Sequence, residues 1–225
     1  MRESKKGYPT LRRVVRVKKM LIFLPVLLIL HIPVFSEQLP IINIAFVLDN
    51  QLWMKEETKE YQLTRDKEVV NLKWSYDGGF IAYLHIGEKG DASQLWIYDT
   101  NKKVNYKPYD WIETKNYKWS PTNQPLAYTS NGVLNITQKQ DGIPKGFENV
   151  VLGVSDFEWF PNGKEFIVSS TANLLPTGWG PIPLFKLPFD TNLDSKKVEH
   201  FYTIESDKDM FAIDFCYFKW SNDGN

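Results

Sequence analysis

Hydrophobic and polar positions divide the chain into two unlike regions. Residues 20–35, from Met20 to Phe35, are uncharged and nearly all apolar. From Ile41 onward the pattern changes to short alternating runs separated by polar, Gly- and Pro-containing breaks. The alternation in Leu72-x-Trp74 and Ile81-x-Tyr83 has the period of two that predicts strands. Between such runs lie Ser75-Tyr76-Asp77-Gly78 and Phe160-Pro161-Asn162-Gly163. Pro presets φ, Asp or Asn caps the local backbone, and Gly accepts positive φ, so each pair of runs predicts a hairpin.

These hairpins recur. Leu72-Lys73-Trp74 through Leu84 aligns with Tyr117-Lys118-Trp119 through Thr129 and with Phe157-Glu158-Trp159 through Ser169. Phe218-Lys219-Trp220 begins a further copy, and Ile44-Ala45-Phe46-Val47 matches Ile81–Leu84 without the preceding half. The Trp-to-Trp spacings are 45, 40 and 61 residues. A third strand follows each hairpin, at 51–55, 94–99, 133–136 and 183–187. A fourth, weaker strand comes next, as at 61–64 and 148–151. Four antiparallel strands in roughly 40–45 residues is the unit of an all-β propeller blade.

The pattern Trp-Ser-Pro-Asp-Gly, then Ile-Ala-Tyr, then Leu-Trp-x-x-Asp, carried by residues 74–78, 81–83 and 95–99 and their copies, resembles the blades of TolB-like propellers, which are bacterial and exported. The same repeats occur in the propeller domains of prolyl-oligopeptidase-type enzymes. The resemblance covers about residues 41–225 and implies a propeller fold. Propellers of that family close with six or more blades. About four are expected here: the later strands of one at 41–64, three more at about 69–109, 114–152 and 154–204, and the opening of a fifth at the end of the chain. The ring is therefore expected to be incomplete, either because the chain is C-terminally truncated or because a second chain completes it. Without such a second chain a monomer is expected.

Charge sharpens the division. The formal net charge is zero, with 27 basic and 27 acidic side chains. Residues 1–19 carry eight basic groups and one acidic group, and residues 20–36 carry none. That leaves 19 basic and 26 acidic groups in residues 37–225. A basic leader, an apolar run too short for the roughly 20 residues of a membrane span, and then small residues describe a secretory signal peptide. Cleavage is expected after Ser36, leaving Glu37 at the new terminus. The other reading keeps residues 20–35 as a membrane anchor. The expected organisation is thus a leader at 1–36 and a partial propeller at 37–225. The acidic body gives no ground for a nucleic-acid partner. It leaves membrane contact to the N-terminal apolar segment.

Candidate chemistry is sparse. One cysteine, Cys216, excludes an intramolecular disulfide framework and a thiolate zinc cluster. His85 and His200 belong to neither a metalloprotease helix motif nor a nucleophile elbow, and there is no P-loop or dinucleotide fingerprint. No cofactor or metal is expected; Asp207, Asp209 and Asp214 are the nearest approach to an acidic cluster. Asn135-Ile136-Thr137 is a formal glycosylation acceptor. Trp74, Trp119, Trp159 and Trp220 recur at one phase of the repeat and are expected to pack between sheets. Asp77, Gly78 and Gly163 are expected to serve the turns.

One stretch departs from the repeat. Residues 171–183 are inserted between the second and third strands of the fourth unit. There Gly178, Gly180 and Pro181 flank Trp179 on a stiff loop, where binding residues often lie on β scaffolds. A second aromatic run, Tyr106, Tyr109 and Trp111, ends the second unit. These residues are the candidate partner-binding surface. The sequence thus predicts a non-catalytic, exported scaffold binding a protein or glycan at the cell envelope. The alternative is the substrate-gating propeller of a hydrolase whose catalytic domain lies outside this chain.

Overall fold

A computed structural model describes residues 42–87, 93–110, 112–122, 125–170, 174–175, 178–189, 197–205 and 219–221; at 174–175 and 178–179 the backbone alone is described. The leader, Ser36, Glu37, Trp111, Cys216, Asp207, Asp209 and Asp214 lie outside the described residues. Among the described residues no helix is long and apolar enough to cross a membrane.

Among the described residues, seventeen strands form the architecture. Sheet one contains β1 (Asn43–Leu48), β2 (Gln51–Glu56) and β3 (Lys59–Gln62) in chain order. Sheet two contains β4 (Val69–Trp74), β5 (Phe80–His85), β6 (Gln94–Asp99) and β7 (Val104–Tyr106). Sheet three contains β8 (Tyr117–Trp119), β9 (Leu126–Ser130), β10 (Val133–Gln140) and β11 (Ile143–Leu152). Sheet four contains β12 (Asp156–Trp159), β13 (Glu165–Ser169), β16 (Ile182–Pro188) and β17 (Glu199–Ile204). A small hairpin, β14 (Leu174–Leu175) with β15 (Gly178–Trp179), interrupts sheet four between its second and third strands. All pairings among the described residues are antiparallel.

The core lies between successive sheets. Ile81 and Tyr83 of β5 pack with Leu52 and Met54 of sheet one. Phe80, Ala82 and Leu84, on the opposite face of β5, pack with Tyr117, Leu126 and Tyr128 of sheet three. A strand covered on both faces has no outward position to make polar, and all six residues of β5 are buried. Sheets three and four share Leu134, Val150, Phe157, Trp159 and Phe166.

The turns use the chemistry of their residues. In sheet two, Asp77 Oδ1 accepts from Gly79 N at 3.0 Å and from the Ser75 hydroxyl at 2.7 Å. In sheet four, Asn162 Oδ1 accepts from Lys164 N at 2.8 Å. Gly78 and Gly163 sit at φ 69° and 64°. Asp99 closes the next turn, accepting from Asn101 N and Lys102 N, each at 2.9 Å.

Two elements differ from the sequence expectation. The third and fourth strands of sheet three run on as a long hairpin, to Gln140 and from Ile143. Polar Thr137–Gln140 hides this extension from hydrophobic periodicity, while Asp141 and Gly142, at φ 50° and 81°, turn the chain. The formal glycosylation site is closed: Asn135 and Thr137 are buried, and Asn135 Nδ2 donates to Val133 O at 2.9 Å.

Candidate functional site: one rim of the sheets

Each sheet has two ends. At one end lie the turns from first to second strand, at Ser75–Gly79 and Phe160–Lys164. At the other lie the connections from second to third strand and those leading to the next sheet. A repeated hydrogen bond ties this second rim together. Val69 N donates to Asn50 O at 2.9 Å, Thr114 N to Ser93 O at 3.0 Å, and Val154 N to Gly132 O at 3.0 Å. In each case the segment leading out of a sheet is fastened to that sheet's own second-to-third connection.

This rim gathers the candidates. Tyr109 lies on the connection from sheet two to sheet three, 45% exposed, with its ring 4.8 Å from Phe147 of β11 in an edge-to-face arrangement. Phe147 is itself 41% exposed. Beside this pair Ile112, Tyr128, Asn131 and Asn149 border a shallow cavity of about 190 Å³. Burial raises the Tyr128 hydroxyl pKa above its ordinary range, and the nearby Tyr109 raises it further. Tyr106, by contrast, turns inward against the core between sheets two and three. The inserted hairpin β14–β15, with Gly178 and Trp179 on its second strand, leaves sheet four at the same end. Gly180 is buried and Pro181 exposed where the chain returns to β16.

The repeated tryptophans occupy the inter-sheet layers. Trp74 packs between sheets one and two, Trp119 between two and three, and Trp159 between three and four. Trp220 packs beside Phe160, with its ring 4.6 Å away. Trp119 Nε1 donates to Lys73 O at 3.0 Å, Trp159 Nε1 to Lys118 O at 3.1 Å, and Trp220 Nε1 to Trp159 O at 2.5 Å.

Two features were not singled out from sequence. The first is a row of charges on the innermost strands. Lys73 Nζ donates to Tyr117 O at 2.8 Å and Lys118 Nζ to Phe157 O at 2.5 Å. Lys118 also pairs with Glu158 at 3.0 Å. Burial, then the neighbouring Lys118, lower the Lys73 ammonium pKa, while Glu158 and Asp156 oppose them. Burial raises the Asp156 carboxyl against Lys118, Phe157 N and the Asn116 amide, which donates to Asp156 Oδ1. A lysine alternating within a strand reads as solvent-facing, so sequence offered no signal for this row. The second is a groove of about 520 Å³ on the opposite rim, between Tyr76, Pro125, Gln138, Glu148 and Phe189. It draws on three sheets, a juxtaposition that spacing cannot show.

Among the described residues no group of three or more His, Cys, Asp or Glu could hold a metal ion. His200 lies exposed on β17, its Nε2 2.8 Å from Thr203 Oγ1, remote in the sheet order from His85 on β5.

The strand order, the sheet-to-sheet core and the tryptophan layer define a β-propeller of four-stranded antiparallel blades, its sheets not closed into a ring among the described residues. Solved structures similar to the chain include TolB from Acinetobacter baumannii, at 16% identity over 70% of this chain and 41% of that one, with a TM-score of 0.44. The β-propeller domain of the Trilobed protease from Pyrococcus furiosus, described as having an open velcro topology, is 14% identical over 72% and 53%, with a TM-score of 0.47. Pyrococcus horikoshii acylaminoacyl peptidase is 12% identical over 72% and 30%, also at 0.47. The chain spans about half or less of each of these structures. No protein-family model matches the chain. No curated protein matches it.

Proposed function

We propose that this protein is an exported, non-catalytic propeller scaffold whose rim binds a protein or glycan partner at the cell envelope. The observation that carries the reading is the gathering of Tyr109, Phe147 and the inserted Gly178–Trp179 hairpin at one end of the sheets. Rigid β scaffolds hold such loops without paying much ordering entropy on binding. Exposed aromatics offer large contact area per fixed torsion, for protein hot spots and for sugar faces alike. Export rests on the basic leader followed by the apolar run at 20–35.

The test presents the full chain to fractionated envelope proteins and to purified cell-wall glycan. Retention of one class, reduced by Tyr109→Ala and by Trp179→Ala at unchanged thermal stability, supports the reading. Equal retention by both variants removes the rim from it. Hydrolysis of peptide or ester substrates by the chain would overturn the non-catalytic assignment.

A further inference from the structure

One position of the repeat is aromatic in three sheets and not in the fourth. In Leu52-Trp53, Leu95-Trp96 and Leu184-Phe185 a leucine is followed by a large ring. Trp53 stands opposite Phe46, Trp96 opposite Tyr83 and Phe185 opposite Val168 on the adjoining strand. Trp96 packs against the core shared with sheet one, and Phe185 against the core shared with sheet three. In sheet three the same position follows Leu134 and stands opposite Tyr128, but it is Asn135.

The smaller side chain leaves space where the other sheets carry a ring. The cavity of about 190 Å³ beside Tyr109 lies here, with Tyr128, Asn135 and Asn149 in one row across β9, β10 and β11. Its floor is polar and buried: Asn135 is 4% exposed and Tyr128 2%. Asn135 Nδ2 donates to Val133 O at 2.9 Å. Among the described residues neither Asn135 Oδ1 nor the Tyr128 hydroxyl has a hydrogen-bond partner. Such groups are costly on a cavity floor unless its contents satisfy them.

We infer that this cavity binds one uncharged pyranose residue of a glycan. The inference rests on the proposed reading of this rim as the binding surface, and it decides between that reading's two partners. Among the described residues no Asp, Glu, Lys, Arg or His lines the cavity, whereas Asp77, Lys139 and Glu148 line the groove on the opposite rim. A charged group would find no counter-charge here. The side-chain amides of Asn131, Asn135 and Asn149 and the Tyr128 hydroxyl can donate and accept at once, which is what neighbouring sugar hydroxyls demand. At the mouth the Tyr109 and Phe147 rings meet edge to face at 4.8 Å, offering apolar surface to the C–H faces of a pyranose. The volume equals about six waters, the scale of a single sugar ring. An apolar side chain of a protein partner would leave the floor amide and phenol unpaired, so the same groups that favour a sugar disfavour it.

The backbone places these amides. Val151 stands opposite Leu134, and the register then shifts so that Asn149, not Val150, stands opposite Asn135. The irregularity brings a second amide into the row and leaves Val150 buried in the core with sheet four. Asn131, at φ 50°, and Gly132, at φ 72°, make the turn between β9 and β10. Gly132 O accepts from Val154 N at 3.0 Å, which ties that turn down and holds Asn131 at the mouth.

The test titrates the full-length chain, in mild detergent, with maltotetraose, cellotetraose, mannotetraose and chitotetraose. Tetragalacturonate serves as the acidic counterpart, and saturation-transfer NMR reads the binding. The expected result is binding of at least one neutral tetrasaccharide and weaker binding of tetragalacturonate. Asn135→Trp, which restores the ring of the other sheets, should weaken that binding at least tenfold. Asn149→Ala, at the exposed mouth, should weaken it about fivefold at unchanged melting temperature, and this variant carries the test if Asn135→Trp does not fold. The inference is overturned if none of the neutral tetrasaccharides binds, if tetragalacturonate binds more tightly, or if binding is indifferent to Asn149→Ala. Should an envelope protein then still be retained through Tyr109, the rim stands as a protein-binding surface; should nothing be retained, that reading falls as well.

Discussion

The indole N–H of Trp119 donates to the carbonyl of Lys73, 3.0 Å away and on the preceding sheet, while the Lys73 ammonium reaches forward to the backbone beside that tryptophan. Sheets two and three are thereby fastened at their innermost strands, as sheets three and four are through Trp159 and Lys118. The tryptophan therefore contributes a directional bond as well as apolar area, and its ring and its N–H are separable by mutation.

Trp159→Phe removes the N–H and keeps most of the ring. Trp159 is 2% exposed, so the Lys118 carbonyl it satisfied is left buried without that donor. The expected loss is about 1–3 kcal/mol, from the lost hydrogen bond together with the smaller ring. Urea unfolding followed by circular dichroism measures it. An unchanged midpoint would mean that the bond contributes nothing net.

Lys118→Met tests the charge row. The ammonium bonds Phe157 O and pairs with Glu158, and both side chains of the pair are largely buried. Removing one partner strands the other charge, at a cost of about 2 kcal/mol or more. Adding Glu158→Leu should return part of that loss, because it removes the stranded carboxylate. A double variant no more stable than the single one would show that packing, not charge, governs the site.

The contrast between these two features explains what the sequence disclosed. Tryptophans at one repeat phase stand out because sheets covered on both faces need large apolar residues at fixed positions. The turns at Asp77-Gly78 and Asn162-Gly163 stand out because positive φ restricts residue choice. Lys73 and Lys118 gave no such signal, since their role depends on which carbonyl the neighbouring sheet presents. The β10–β11 extension was hidden for a related reason: backbone pairing, not burial, sustains polar Thr137–Gln140. The rim was half legible. The inserted segment was visible as a departure from the repeat and Tyr109 as part of an aromatic run, but Phe147, on an ordinary strand, becomes the partner of Tyr109 only through the fold.

Two glycines in equivalent turns should respond differently to alanine. Gly78 and Gly163 share positive φ, so each substitution costs about 1–2 kcal/mol in backbone strain. A Cβ at Gly78 meets nothing within 4 Å, whereas one at Gly163 falls 2.1 Å from Thr122 Oγ1 and 3.0 Å from Ser120 Oγ. Gly163→Ala should therefore lower the melting temperature more than Gly78→Ala. Adding Thr122→Ala should narrow the gap by removing the nearest atom. Equal shifts for the two single variants would show that the turn of sheet three yields freely.

His85 should make stability depend on pH in the mildly acidic range. It is 9% exposed, its ring lies 5.1 Å from Tyr83 and 5.0 Å from Trp96, and neither ring nitrogen has a hydrogen-bond partner. Burial, then the positive charges of Lys67 and Lys107, lower its pKa from 6.5 to about 4, with Asp66 opposing. Between these two values the unfolded chain binds a proton that the folded chain refuses. Stability is therefore fully present above about pH 6.5 and falls as the pH drops toward 4. Asp156 carries the opposite sign, because burial raises its carboxyl pKa and protonation relieves that cost. The His85 contribution is isolated by comparison with His85→Leu, which removes both the titration and two unsatisfied buried atoms. Melting temperatures taken from pH 7 to pH 4.5 should fall more steeply for the wild type than for the variant. Parallel curves would show that His85 accepts its proton in the folded state as readily as in the unfolded one.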